Sequence, residues 1–300
     1  MDFFYSHTGE FAALLTAIFW TLTALSFETA TKRIGSIPVN IIRLVIGLAF
    51  LSAFTFIRRG MLLPLDASYH NWLWLSVSGL IGFTFGDLFL FKSYMIIGSR
   101  FSMLIMTLVP PITTLIGFFV LGEKLRMLHI FGMTLTFSGI VLAIFSRKEK
   151  GEKFRLKLSG RGILYAFGGA VGQALGLVLS KLGMGDYDAF AATQIRILAG
   201  MAGYVLLITA WMRWGSVIKA FSDWKGIRAT TAGAFFGPFL GVSFSLVAVR
   251  YTEAGIASTI MALVPVFIII PAVLMYKQRV TFAEVAGAVL SVGGVALFFM

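Results

Sequence analysis

Apolar runs of about 20 residues follow one another along almost the whole chain, separated by short polar breaks, with none of the apolar/polar alternation of a membrane barrel. Such a run spans a hydrocarbon core of roughly 30 Å when it is helical, and in hydrocarbon every backbone N–H and C=O must be paired within the segment. The pattern therefore predicts an all-α membrane protein with ten transmembrane helices, at roughly 10–31, 39–57, 71–94, 100–121, 128–146, 160–181, 189–212, 226–249, 255–276 and 282–299. The one long hydrophilic break, Arg147 to Arg161, falls between the fifth and sixth helices.

The two halves on either side of that break are copies. Ile105-Met106-Thr107-Leu108-Val109-Pro110 returns 155 residues later as Ile260-Met261-Ala262-Leu263-Val264-Pro265. The same shift carries Gly82, Gly86, Gly132 and Gly139 onto Gly237, Gly241, Gly287 and Gly294, and a shift of 153 carries Ile42-Arg43 onto Ile195-Arg196. The division is then a first five-helix repeat over 1–146, a basic linker over 147–159 and a second repeat over 160–300. Five is odd, so the second copy enters the membrane upside down, and an inverted-topology repeat is an architecture suited to alternating access around a midplane site.

Composition sharpens this picture. Hydrophobic residues make up 58% of the chain and charged residues 13%, which rules out a soluble surface. The first run lacks the basic flank and cleavage site of a signal peptide, so it is expected to stay as a spanning helix. With no cysteine there are no disulfides or thiolate sites, and His7, His70 and His129 are too scattered to suggest a metal. The net charge of +12 belongs to loops next to anionic lipid, since no basic stripe with interleaved aromatics suggests nucleic acid. Six loop Lys and Arg residues fall on the side of the N terminus and sixteen on the other, which places the linker in the cytoplasm and both termini outside. No cofactor is expected: Gly168-Gly169 to Gly176 follows no strand and precedes no Lys-Ser, so it is no phosphate loop.

Ser102 to Pro110 with its copy at Ala257 to Pro265, Leu121-Gly122-Glu123-Lys124-Leu125 with Gly132 and Ser138-Gly139-Ile140, and Ala248-Val249-Arg250-Tyr251-Thr252-Glu253-Ala254 together resemble the EamA type of the drug/metabolite transporter superfamily. The resemblance covers about residues 10–299 and implies a secondary transporter, often an exporter, of small metabolites such as amino acids. Two departures stand out. The second half reads Tyr276-Lys277-Gln278-Arg279 where the first has its Gly-Glu turn, and the first helix has no acid near Trp20 and Thr21, where the small multidrug branch carries one. Proton-coupled export of cationic drugs is therefore not the expectation.

Several residues are candidates for a solute pathway. Asp87 and Lys92 lie inside helix three, where an ionised group costs about 2.5–3.5 kcal/mol, and at five residues apart they do not share a helix face. Arg43 and Arg196 begin helices two and seven, either as lipid-phosphate anchors or helix caps, or as forks for a carboxylate at each mouth of a pathway. Gln173 could bond a helix or a solute, and Trp20, at mid-helix, could stack on a solute or simply pack. Glu28 and Lys32 read as a helical ion pair. Pro110, Pro111, Pro265 and Pro271 interrupt helices four and nine, which makes Ser102, Met106 and Pro110, with Met261 and Pro265 in the copy, the expected walls. The recurring glycines are expected to let helices approach closely.

The expected function is secondary transport of small organic metabolites, amino acids or similar, exported across the cytoplasmic (inner) membrane by a lipid-embedded monomer. The alternative is a non-transporting scaffold or lipid-handling, flippase-like protein. An enzyme would need acids or histidines clustered at one depth, which the sequence does not offer.

Overall fold

The computed structural model describes residues 6–146, 159–267 and 281–300, and among them all regular structure is helical. Among the described residues six stretches are long and apolar enough to cross a membrane: Thr8–Ile34, Ser36–Arg59, Tyr69–Ser93, Gly160–Met184, Ala189–Ala210 and Trp224–Tyr251. The first two are α1 (Thr8–Ile34) and α2 (Ser36–Arg59). α2 ends where Gly60 takes a left-handed φ of 72° and donates its N–H to Phe56.

The third span starts from a capping box. Ser68 Oγ accepts from the Asn71 N–H at 3.2 Å while Asn71 Oδ1 accepts from the Ser68 N–H at 3.0 Å. It continues as α3 (Tyr69–Gly79), a π-helical segment over Leu80–Gly86, and α4 (Asp87–Met106). The sixth span has the same construction: α10 (Trp224–Ala234), a π-helical segment over Phe235–Gly241, and α11 (Val242–Tyr251). The two π segments are related by the same 155-residue shift as the sequence repeat. A π turn widens the helix locally, is rare, and occurs mostly at functional sites.

The expected division of helices three and four at residues 94–100 takes a different form, because α4 is helical throughout. It is not straight, however. Ser93 Oγ bonds Ser102 Oγ at 2.7 Å, whereas nine residues of straight helix would separate them by about 13.5 Å, so the chain folds back between them. The helical interruption comes at Thr107-Leu108, before α5 (Val109–Leu121), and recurs at Ala262-Leu263, between α12 (Ala254–Met261) and α13 (Val264–Phe267). Each lies just before Pro110 or Pro265, whose rings cannot donate to the turn behind them. Between α8 (Ala189–Ala210) and α10 the expected loop instead contains a short helix, α9 (Trp214–Ala220). Pro271 and the Lys277-Gln278-Arg279 turn lie outside the described residues.

α6 (Met127–Ser146) and α14 (Phe282–Ala296) pack antiparallel, and here the repeat meets itself. A Cβ on Gly132 would lie 2.8 Å from the Gly294 carbonyl, and one on Gly139 would lie 2.5 Å from that of Gly287. Between these crossings, Thr136 Oγ1 donates to the Ser291 carbonyl and Ser291 Oγ donates to the Thr136 carbonyl, both at 3.3 Å. Thr136 and Ser291 are themselves 155 residues apart, so a local two-fold relation passes between them. Small residues permit this contact, since helices in lipid associate through packing and interhelical hydrogen bonds.

Candidate functional site

The π segment at Leu80–Gly86 packs against α7 (Gly160–Met184) and α8, so that the first repeat is embedded in the second. A Cβ on Gly172 would lie 2.8 Å from Gly86 Cα, and one on Gly176 would lie 3.1 Å from Gly82 Cα. Ser78 Oγ donates to the Gly176 carbonyl at 2.6 Å. On the other side, Gly79 leaves room for the Arg196 backbone carbonyl, and the Arg196 Nη2 lies 3.3 Å from where a Gly82 Cβ would be.

This packing assembles a buried polar cluster within the spans. Asp87 is ion-paired with Arg43 Nη2 and accepts a 2.8 Å hydrogen bond from Gln173 Nε2. The Asp87 and Arg43 side chains are each 9% exposed. The Arg43 guanidinium lies over the rings of Phe27 and Phe91, and that of Arg196 over Phe83. Arg196 and Tyr204, both on α8, do not hydrogen-bond Asp87; Arg196 reaches the π segment at Gly82, five residues before it. One acid and two guanidinium groups leave the cluster with a net charge of +1.

One expectation is corrected here. Arg43 and Arg196 do not sit at helix starts as lipid anchors or caps: each is the eighth residue of its helix, about two turns inside, and they are 7% and 5% exposed. Arg43 pairs with Asp87, whereas Arg196 lies over the Phe83 ring. The spacing of Asp87 from Lys92 excluded a pair between them, but nothing in the sequence pointed to Arg43, 44 positions away.

The remaining candidates lie elsewhere. Lys92 rests against the rings of Tyr165 and Trp211 at 5.5 and 5.3 Å. Trp20 is partly buried and fills the space above Gly241, where a Cβ would meet its indole at 2.6 Å. Ser102 bonds Ser93, and Met106 and Met261 end α4 and α12. The side chains of Pro265 and Glu28 lie outside the described residues. Pro110 helps to line a largely apolar cavity of about 340 Å³, together with Thr107, Leu108, Met133, Thr259 and Ala262. Both helical interruptions, Thr107-Leu108 and Ala262-Leu263, thus reach the same cavity, which no charged side chain lines among the described residues.

A second polar assembly ties the repeats together at the ends of the spans. Both Glu123 oxygens accept from the Ala254 N–H, at 3.1 and 3.0 Å, capping α12, and Lys181 Nζ bridges Glu123 Oε1 at 2.6 Å and the Thr252 carbonyl at 2.7 Å. Thr252 Oγ1 donates in turn to Glu10 at 3.0 Å. The last turn of α2 and nearby loops carry Arg58–Asp188 and Arg59–Asp66, each at 2.5 Å, and Tyr187 Oη donates to Asp66 at 2.8 Å. Burial raises the Asp66 pKa, but hydrogen bonds from Tyr187 and Arg59 outweigh it and hold this carboxyl below the ordinary range. Burial, with the contact to Asp66, pushes the Tyr187 phenol up to about 12. Of this assembly, the Gly122-Glu123 turn and the Thr252 to Ala254 stretch carried a signal in the sequence.

A chain of apolar spans, built twice and holding a buried charged cluster where the copies interlock, is a multi-pass membrane protein of transporter architecture. It belongs to the EamA-like transporter family, whose model matches residues 7–145 and 160–300. A solved crystal structure is similar in fold, with a TM-score of 0.75 at 19% identity over 97% of this chain and 95% of that one. Comparison with curated proteins finds no match.

Proposed function

We propose that this protein is a secondary transporter that exports small organic metabolites, amino acids or similar solutes, across the cytoplasmic membrane by alternating access. Ten spans in two inverted five-helix repeats, with both termini outside and the basic linker in the cytoplasm, form one complete pathway within a lipid-embedded monomer. The observation that carries this reading is the buried Arg43–Asp87–Gln173 cluster with Arg196 beside it, at the interlock of the two repeats. Charges in a membrane interior are costly, and in membrane proteins they mark solute and ion pathways. The paired interruptions at Thr107-Leu108 and Ala262-Leu263 supply hinge positions in equivalent places of the two halves, as broken helices do in transporters with inverted repeats. Antiparallel contact of α6 with its own copy, α14, supports the inverted relation.

The test is uptake of labelled amino acids into proteoliposomes containing the purified protein, with and without a counter-substrate or a pH gradient, beside an Asp87→Asn variant verified as folded. Saturable flux that depends on the protein is the expected result, and its response to the gradients separates exchange from proton coupling. Absence of flux for amino acids and for other small metabolites, from folded protein, would instead support the scaffold or lipid-handling alternative.

A further inference from the structure

We propose that Arg196 is an anion-binding residue of the pathway and that the solute it receives carries a carboxylate; this rests on the transporter reading above. Among the described residues Arg196 makes no hydrogen bond and no ion pair, and its buried Nε has no partner. Its surroundings hold it in place without neutralising it: the Phe83 ring lies 5.0 Å from the guanidinium carbon, and Gly82 leaves space for Nη2. The nearby acid is already engaged, because Asp87 is paired with Arg43 and accepts from Gln173. The repeat offers no second acid, since the position equivalent to Asp87 is Val242. On the same helix, the Tyr204 hydroxyl is also buried and without a partner.

A guanidinium left unpaired in a low-dielectric interior is a strong demand for an anion, and its planar fork matches a carboxylate. The net charge of +1 sets the selectivity as well. A cation is repelled, a neutral amide leaves the charge unmet, and a carboxylate brings the cluster to neutrality. Phosphate presents the same oxyanion chemistry, and a lipid headgroup is its nearest source, so the test includes both.

The experiment is thermal unfolding of the purified full-length protein in detergent, followed by tryptophan fluorescence. The additives are pyruvate, L-glutamate and L-phenylalanine, the amides acetamide and L-phenylalaninamide, choline, inorganic phosphate, and short-chain phosphatidylglycerol. At least one carboxylate is expected to raise the melting temperature by about 3 °C, while the amides and choline do not. Arg196→Gln should abolish that response and melt no lower than the wild type, because it removes an unneutralised charge. Arg196→Lys, which keeps the charge but loses the fork, should give a weaker response. Equal stabilisation by the amides, a response that persists in Arg196→Gln, stabilisation by phosphate or phosphatidylglycerol alone, or no response to any carboxylate would overturn the proposal. Flux of the responding carboxylate in proteoliposomes is a separate measurement. Binding without flux would refute the transport reading and leave the anion site standing, whereas flux that is insensitive to Arg196→Gln would refute the anion site alone.

Discussion

Replacing Asp87 by asparagine should be among the most damaging single changes to this protein, and the charges around it give the magnitude. The Asp87 side chain is 9% exposed and is ion-paired with the buried Arg43 guanidinium. Asparagine is isosteric and its Oδ1 can still accept from Gln173, so packing and one hydrogen bond survive. What changes is the charge of the cluster, from +1 to +2, with Arg43 left unpaired. Breaking a buried pair in this way costs about 3–5 kcal/mol, a fall in melting temperature of roughly 5–8 °C for a chain of this length. Arg43→Gln should cost less, about 1–3 kcal/mol, because the remaining Asp87 keeps Gln173 and the field of Arg196 and the cluster becomes neutral. The double variant should melt above Asp87→Asn alone, with a coupling energy of about 1–3 kcal/mol between the two sites. Thermal unfolding of the four proteins in one detergent measures the cycle. Strict additivity, or an Asp87→Asn protein as stable as the wild type, would mean that the pair does not hold the interlock together.

Glu123→Ala should lower stability by about 2 kcal/mol, through loss of the α12 cap and of the Lys181 bridge, and Glu123→Gln, which keeps an acceptor, by less; the melting temperatures of both variants check this. Gly139→Val should destabilise by about 1–3 kcal/mol by forcing α6 away from Gly287 and Ser291, whereas Gly293→Ala, where a Cβ meets nothing within 4 Å, should be neutral or stabilising in the same melts. The Asp66 pKa is depressed in the folded protein, so its contribution is present above the ordinary carboxylate pKa and is lost as the pH falls through the lower folded value. The Tyr187 pKa is raised from 10 to about 12, so its contribution is full below pH 10 and disappears between pH 10 and 12. Melts against pH should therefore show the acidic loss reduced in Asp66→Asn and the alkaline loss reduced in Tyr187→Phe; unchanged profiles would contradict both assignments.

The spans were legible because hydrocarbon imposes one answer on the backbone, and the repeat because Ile105 to Pro110 and the recurring glycines survive as copies. The meaning of those glycines was less legible. Gly132 and Gly139 on one side and Gly287 and Gly294 on the other indicated close packing, but only the fold shows that each copy packs on the other. The π segments left no trace in hydrophobic periodicity, since a single widened turn shifts the pattern by one residue within an already apolar run. The return of the chain between Ser93 and Ser102 was signalled by a polar break, while the continuity of helical bonding across it was not. The cluster was half visible. Asp87, Gln173, Arg43 and Arg196 each stood out as polar residues in apolar runs, yet their partnership joins positions 43, 87, 173 and 196, which no periodicity relates.

The cluster also shows where the two halves cease to be equivalent. Duplication places an arginine two turns into α2 and another two turns into α8, and a π segment ahead of residue 87 and ahead of residue 242. A fully symmetric protein would hold either two acids or none: two would neutralise both arginines, and none would leave a +2 centre that the membrane interior would strongly disfavour. Aspartate at 87 and valine at 242 give the intermediate case, in which one arginine is paired with an acid and the other has an unpartnered Nε. The pairing of Asp87 with Arg43 therefore does two things at once. It makes burial of the cluster tolerable, and it leaves the Arg196 Nε without a partner among the described residues.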